Sequence, residues 1–276
     1  MTGFAPIAAQ YDGFIVDLWG VIHDGIKPFP GVIDCLTKLR EADKRVVFLS
    51  NAPRRAASIA RVLAGMGIAP DLYTGIVTSG EAVYLGLRDR SGEFADLGRV
   101  LVHLGPPRDR NLFQGLDLTE IDTPADADFL LNTGPDDHHP PDDASFFDPL
   151  LNASLEAGLP MICANPDLEI VRDGKRIICA GLLAQIYQAR GGRVIQRGKP
   201  DAAIYQPVMA LLATDPARTL AVGDSLRTDI AGAKAAGIDA AWVLSGLHDL
   251  PLSDAPAYAA REGLNPAVIL PAFRWT

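Results

Sequence analysis

Cysteine is scarce in this chain. Cys35, Cys163 and Cys179 make three in 276 residues, an odd number without metal-ligand spacing. That excludes a disulfide framework and a cysteine-based metal module, and fits buried or free thiols in a reducing compartment. Long hydrophobic runs are missing too: nothing approaches the roughly 20 apolar residues that span a bilayer. The start, Met1-Thr2-Gly3-Phe4-Ala5-Pro6, has neither the basic residues nor the apolar stretch of a signal peptide. A cytoplasmic protein is expected. Positive charge is in deficit, with 25 basic against 34 acidic residues and a net charge of −9, which disfavours nucleic acid and anionic membrane as partners. A small anionic substrate stays admissible, because a few local donors and a metal can reverse the field inside a pocket. No internal repeat appears at any fixed spacing.

What is present is a globular chain, 48% apolar and 21% charged, long enough for one large domain or two ordinary ones. Gly13-Phe14-Ile15-Val16-Asp17-Leu18-Trp19-Gly20-Val21 reads as a strand buried on both faces that ends on a carboxylate and turns at once. A helix over 31–43 follows, then a strand Arg45-Val46-Val47-Phe48-Leu49 delivering Ser50 and Asn51, a helix opened by Pro53, a strand over 76–79 and a helix over 81–88. Strands are also expected over 99–104, 128–131 and 161–164, with a helix over 144–157 and an Asp-Gly hairpin at Asp173-Gly174. A strand over 193–196 leads to Gly198-Lys199-Pro200, Thr219 to Asp224 is the clearest buried strand, and a helix over 228–236 and a strand over 240–244 follow. The expected architecture is α/β: a doubly wound, Rossmann-like parallel-sheet core at about 1–90 and 193–276, with an inserted α/β unit at about 91–192.

Polar groups gather at strand ends. Asp17, Ser50, Lys199 and Asp224 each close a strand, and in a parallel sheet those ends share one edge. Asp17 could be a nucleophile, a metal ligand, both, or merely a strand cap. Two carboxylates, a hydroxyl and an ammonium suit a phosphate together with a hard divalent cation such as magnesium.

Asp17-Leu18-Trp19-Gly20-Val21, Ser50-Asn51, Gly198-Lys199-Pro200 and Gly223-Asp224-Ser225-Leu226-Arg227-Thr228-Asp229-Ile230 stand in the order of the haloacid dehalogenase superfamily motifs. The insertion between the second and third, with Ala164-Asn165-Pro166-Asp167 inside it, resembles the NagD-like (class IIA) branch and its large α/β cap. The resemblance implies that Asp17 is a nucleophile forming an aspartyl-phosphate. It implies Mg²⁺ held by Asp17, the Trp19 main-chain carbonyl and Asp224, with Asp229 either binding the ion or orienting a ligand. Ser50 and Lys199 would bind the phosphoryl group, with Asn51 helping.

One departure matters. Phosphatases of this superfamily carry a second Asp two residues after the nucleophile, as general acid and base; here that residue is Trp19, and an indole cannot do this work. His23 or Asp24 could stand in, or both are plain loop residues. Gly198-Lys199 is no P-loop, because Pro200 replaces the Ser or Thr. Gly65-Met66-Gly67 reads as a helix end, and His138-His139 as a solvated loop or a metal site. Arg54 and Arg55 could reach an anion or an inserted-unit residue, or lie in a solvated helix start; Asn165, Asp167 and Arg172 are candidate substrate contacts. The expected function is a magnesium-dependent phosphatase-type hydrolase of a small phosphorylated metabolite gated by the cap, with homo-oligomerisation through the cap left open. The alternatives are a non-catalytic or weakly active phosphometabolite-binding protein and, third, a dehalogenase-like hydrolase acting at carbon.

Overall fold

The computed structural model describes residues 3–136, 138–172, 174–245 and 250–276. The chain divides into two compact units: Met1–Ser50, Ala57–Val77 and Lys199–Thr276 form the first, and Asn51–Ala56 with Thr78–Gly198 the second.

In the first unit Phe14, Ile15 and Val16 are at most 2% exposed, as a central strand covered on both faces requires. That strand, Gly13–Val16, pairs in parallel with Arg45–Ser50 on one side and Thr219–Gly223 on the other. The sheet runs in the order Val268–Leu270, Asp239–Val243, Thr219–Gly223, Gly13–Val16, Arg45–Ser50, Gly75–Thr78. The chain order reverses at the middle strand, so the carboxyl ends of Gly13–Val16 and Thr219–Gly223 flank the crevice where doubly wound sheets place ligands.

The second unit holds its own parallel sheet, in the order Val194–Gln196, Met161–Cys163, Phe129–Asn132, Val100–Leu104, Thr119–Glu120. Alternation buries both faces: Leu101, Phe129, Leu131 and Ile162 join one apolar cluster, while Val102, Leu104, Leu130, Met161 and Cys163 join another. An antiparallel hairpin, Glu169–Arg172 with Lys175–Ile178, stands beside it; Asp173 of the expected turn lies outside the described residues.

Several expected elements differ. Residues 194–196 pair with Met161–Cys163 in the second sheet rather than returning to the first, and Ile195 packs into the second unit's core. Helix Ser79–Asp89 also belongs there, because Val83 and Leu87 point into that core. The helix expected to open at Pro53 begins at Ala56. Residues 52–55 are instead drawn onto the start of Ser79–Asp89: Gly80 N donates to Ala52 O at 3.1 Å and Thr78 Oγ1 to Arg54 O at 2.5 Å. The Glu81 carboxylate supplies the missing cap by accepting from Ala56 N at 3.0 Å. The segment expected as one helix over 228–236 starts as a π turn, Leu226–Ile230, and continues as α-helix Ala231–Ala235.

His103 lies on the second sheet with its side chain 1% exposed, sharing a 3.0 Å hydrogen bond with Thr133 Oγ1. Burial drives its pKa down to about 4. Unfolded chain takes up the proton near pH 6.5 and the folded one only near 4, so stability is lost as pH falls through that window. We expect unfolding free energy, read from urea midpoints, to drop by up to about 3 kcal/mol for this group, and His103→Gln to flatten the slope.

Candidate active site

Asp17 and Asp224 each sit one residue beyond a central strand, and the two strands are neighbours in register, Val16 opposite Val222. Asp17 N donates to Val222 O at 2.9 Å, which carries the pairing past the strand end and fixes where its carboxylate starts. The backbone of Asp224 is held by Trp242, fully buried, whose indole Nε1 donates to Asp224 O at 2.9 Å.

Asp229 comes from the π turn. Its Oδ2 accepts from Ser225 N at 3.1 Å, and Ser225 Oγ accepts in turn from Thr228 N at 3.3 Å. Wide turns of this type recur at functional sites because they shift a side chain off the regular helix position.

Lys199 joins these groups. Its Nζ donates to Asp17 Oδ1 and Asp229 Oδ1, each at 2.6 Å, and to Leu49 O at 3.0 Å. Three donors meet three acceptors, so the ammonium is fully engaged at 3% exposure. Lys199 reaches this place from a loop after a second-unit strand, not from the end of a core strand as expected; burial of the ammonium on two carboxylates is what brings it there.

Ligand atoms of Asp17, Asp224 and Asp229 all lie within 4.8 Å of one another, and all three residues are buried. Among the described residues Lys199 forms ion pairs with Asp17 and Asp229, and three buried carboxylates with hard oxygen donors at this spacing fit a divalent cation.

The space is cut to match. Gly20 holds φ +83°, and a Cβ there would lie 2.1 Å from Asp224 Oδ2; a Cβ on Gly223 would lie 2.1 Å from Asp229 Cγ. Neither glycine was singled out as a site residue by sequence reasoning, although each adjoins a motif carboxylate or turn. Trp242 and Ser245, which donates to Gly20 O at 2.9 Å, were missed as well and carry no local sequence signal, whereas Ser225 lies inside the motif around Asp224 without having been given a role.

Ser50 is buried at the end of its strand. Trp19 is half-buried, packed edge-on against His23 at 5.7 Å between centroids and across Gly25. His23 is itself buried; its Nδ1 accepts from Gly25 N at 3.0 Å, and burial lowers its pKa to about 4. Asp24 Oδ1 accepts from Ile26 N and Lys27 N in a local turn, which holds the carboxyl below its usual range. Both are thus occupied in shaping the loop.

The remaining candidates lie in the second unit. Asn51 donates to Asp167 Oδ1 at 2.9 Å and accepts from Ser79 Oγ at 3.3 Å. Asn165 Oδ1 accepts from Asp167 N, Arg54 pairs with Asp109 at 3.8 Å, and Arg55 forks onto Glu81 beneath the Tyr84 ring. Arg172 lies on the hairpin. His139 packs on Phe146 and Phe147 beside Asp136, and among the described residues it joins no metal-binding cluster.

Haloacid dehalogenase-like hydrolases match residues 14–119, and a second model of the same superfamily matches 196–267. Chronophin of Rattus norvegicus is 28% identical over 94% of this chain and 85% of its own length. A haloacid dehalogenase-like hydrolase of Brucella suis superposes with a TM-score of 0.84 at 28% identity, covering 99% of both chains. Glycerol phosphate phosphatase of Mycobacterium tuberculosis, solved in complex with magnesium, gives 0.71 at 25% identity over 98% of this chain and 76% of its own. The chain belongs to the haloacid dehalogenase-like hydrolases, whose models match it over two separate stretches.

Proposed function

We propose that the protein is a phosphatase-type hydrolase that works through an aspartyl-phosphate on Asp17, depends on Mg²⁺, and acts on a small phosphorylated metabolite. The observation that carries this is the buried constellation of three carboxylates around one lysine at the carboxyl edge of the first sheet.

In the first half-reaction an oxygen of Asp17 bonds to phosphorus as the bond to the leaving oxygen breaks. In the second, water attacks that phosphorus, releasing inorganic phosphate and restoring the carboxylate. Lys199, gripping Asp17 Oδ1, orients the nucleophile and can turn that hydrogen bond to the phosphoryl oxygens once the carboxylate is esterified, with Ser50 as a further donor. Asp229 is engaged through both oxygens, which suits it to orienting Lys199. Asp17, Asp224 and the Trp19 main-chain carbonyl would hold Mg²⁺, which supplies neutralisation of the charge on the phosphoryl group when bound.

Buried Cys35, Cys163 and Cys179, held as thiols rather than disulfides, support a cytoplasmic setting. Among the described residues no helix is long and apolar enough to cross a membrane. The acid excess supports neither nucleic acid nor membrane as a partner.

Calorimetry tests the reading. The parent should bind one Mg²⁺, and Asp224→Asn should weaken it on the order of 100-fold or more, since a charged ligand is lost. Asp17→Asn should abolish turnover of p-nitrophenyl phosphate. Unchanged magnesium binding by Asp224→Asn would overturn the site. Tight phosphate binding without turnover of any ester would favour a phosphometabolite-binding role.

A further inference from the structure

The chain passes between its two units next to the residues read above as binding the phosphoryl group. Ser50 ends one segment of the first unit and Asn51 begins the second; Gly198 ends the second and Lys199 resumes the first. Asn51 and Gly198 meet in one buried knot inside the second unit. The Asn51 amide, 2% exposed, donates to Asp167 Oδ1 at 2.9 Å and accepts from Ser79 Oγ at 3.3 Å. Gly198 sits against the same atoms: a Cβ there would lie 2.1 Å from Ser79 Oγ, 2.6 Å from Asn51 Oδ1 and 2.9 Å from Pro166 Cγ, and its φ is +126°.

Asp167 is itself fixed. Its N–H donates to Asn165 Oδ1 at 3.0 Å, and its carbonyl accepts from Gly181 N at 3.0 Å, at the start of helix Ala180–Ala189. The rest of the segment after Ser50 is clamped to helix Ser79–Asp89, where a Cβ on Gly80 would lie 2.4 Å from Arg54 N. Asn51 and Gly198 each stand one peptide bond from a donor, about 3.8 Å between Cα atoms. A restraint on both is therefore a restraint on where Ser50 and Lys199 begin.

We infer that Asp167 is a positioning residue: acting through Asn51, it ties together the two chain passages that deliver Ser50 and Lys199. The inference rests on the reading of those two residues as binding the phosphoryl group for its catalytic consequence, though not for the coupling itself. It gives Asp167 and Asn51 work other than touching substrate. The Asn51–Asp167 hydrogen bond is the shorter of the two polar links at the Asn51 amide, and reaction geometry is sensitive to displacements of about 1 Å.

The test compares Asp167→Ala, Asp167→Asn and Ser79→Ala in the full chain. Asparagine at 167 still offers an acceptor to Asn51, while alanine does not. Hydrogen exchange is expected to rise about 10-fold in Asp167→Ala in the peptides covering residues 50–52 and 197–199 together, as for loss of one buried hydrogen bond. Asp167→Asn should stay near the parent, and Ser79→Ala should loosen the same two peptides to a smaller extent. In parallel, kcat/KM for p-nitrophenyl phosphate should fall about 10- to 100-fold in Asp167→Ala, with the inhibition constant of orthovanadate rising alongside and Asp167→Asn restoring both.

Faster exchange around Asn51 alone overturns the coupling. Equal damage from Asn and Ala at 167 also overturns it, because the carboxylate charge would then matter in its own right. If the two peptides loosen together while the parent turns over no phosphate ester, the coupling stands and the hydrolase reading falls.

Discussion

Trp19→Asp is expected to raise turnover of alkyl phosphates by about 10²- to 10⁴-fold, the usual contribution of a placed general acid. Aryl phosphates should gain less than about 10-fold, because their leaving groups depart without a proton. An indole has a donor but no titratable proton, and the two neighbours that could replace it are committed elsewhere. His23 is buried, accepts from Gly25 N and has a pKa of about 4; Asp24 is spent on Ile26 and Lys27. The unmutated protein should accordingly favour aryl or acyl phosphates over alkyl ones. Trp19→Asn is the control: it loses the same packing on His23 and Gly25 without gaining an acid, so it should match Trp19→Asp in thermal stability and bring no gain. Equal rates on alkyl and aryl esters before mutation would show that another group supplies the proton.

Lys199→Met should be the most damaging change for stability in the first unit. The ammonium is 3% exposed and holds Asp17, Asp229 and the Leu49 carbonyl. Removing one partner of a buried pair typically costs about 3–5 kcal/mol, because the buried carboxylates left behind lose the ammonium that neutralises them. The loss should be largest in chelator and shrink on adding magnesium, since a ligand at 100 times its dissociation constant contributes about 2.7 kcal/mol to the folded state. Chemical denaturation with and without magnesium measures both terms. A Lys199→Met protein as stable as the parent in chelator would mean that the carboxylates are not charged together, and the case for a divalent cation would weaken. Turnover should disappear in either medium.

The parallel sheets were legible because their strands are short apolar runs closed by polar residues. Phe14-Ile15-Val16 before Asp17 and Leu220-Ala221-Val222 before Gly223-Asp224 announce buried strands with no help from tertiary contacts. Residues 194–196 look the same, but a run of three does not say which sheet it joins; only the pairing with Met161–Cys163 decides that. The start of helix Ala56–Gly65 failed for a related reason. Pro53 is a good first-turn residue locally, yet the cap comes from Glu81, 25 positions away. The π turn before Ala231 was illegible because its extra residue is absorbed by the bonds from Asp229 N and Ile230 N to a single carbonyl, Ser225 O. Of the site, the carboxylates could be read and the donors around them could not: Trp242 lies 18 positions beyond Asp224 and Ser245 lies 225 beyond Gly20.

Gly20 bears on how this loop can change by inheritance. Two independent demands fall on it, a φ of +83° and an Asp224 oxygen 2.1 Å from where a side chain would begin. No single-codon step away from glycine satisfies both, since any L side chain strains the backbone and displaces the carboxylate at once. Trp19, one residue earlier, is half-buried and bounded by the His23 ring and by Gly25. Lineages descending from this chain can therefore vary position 19, and with it the leaving groups accepted, while position 20 stays frozen and the carboxylate pair keeps its place.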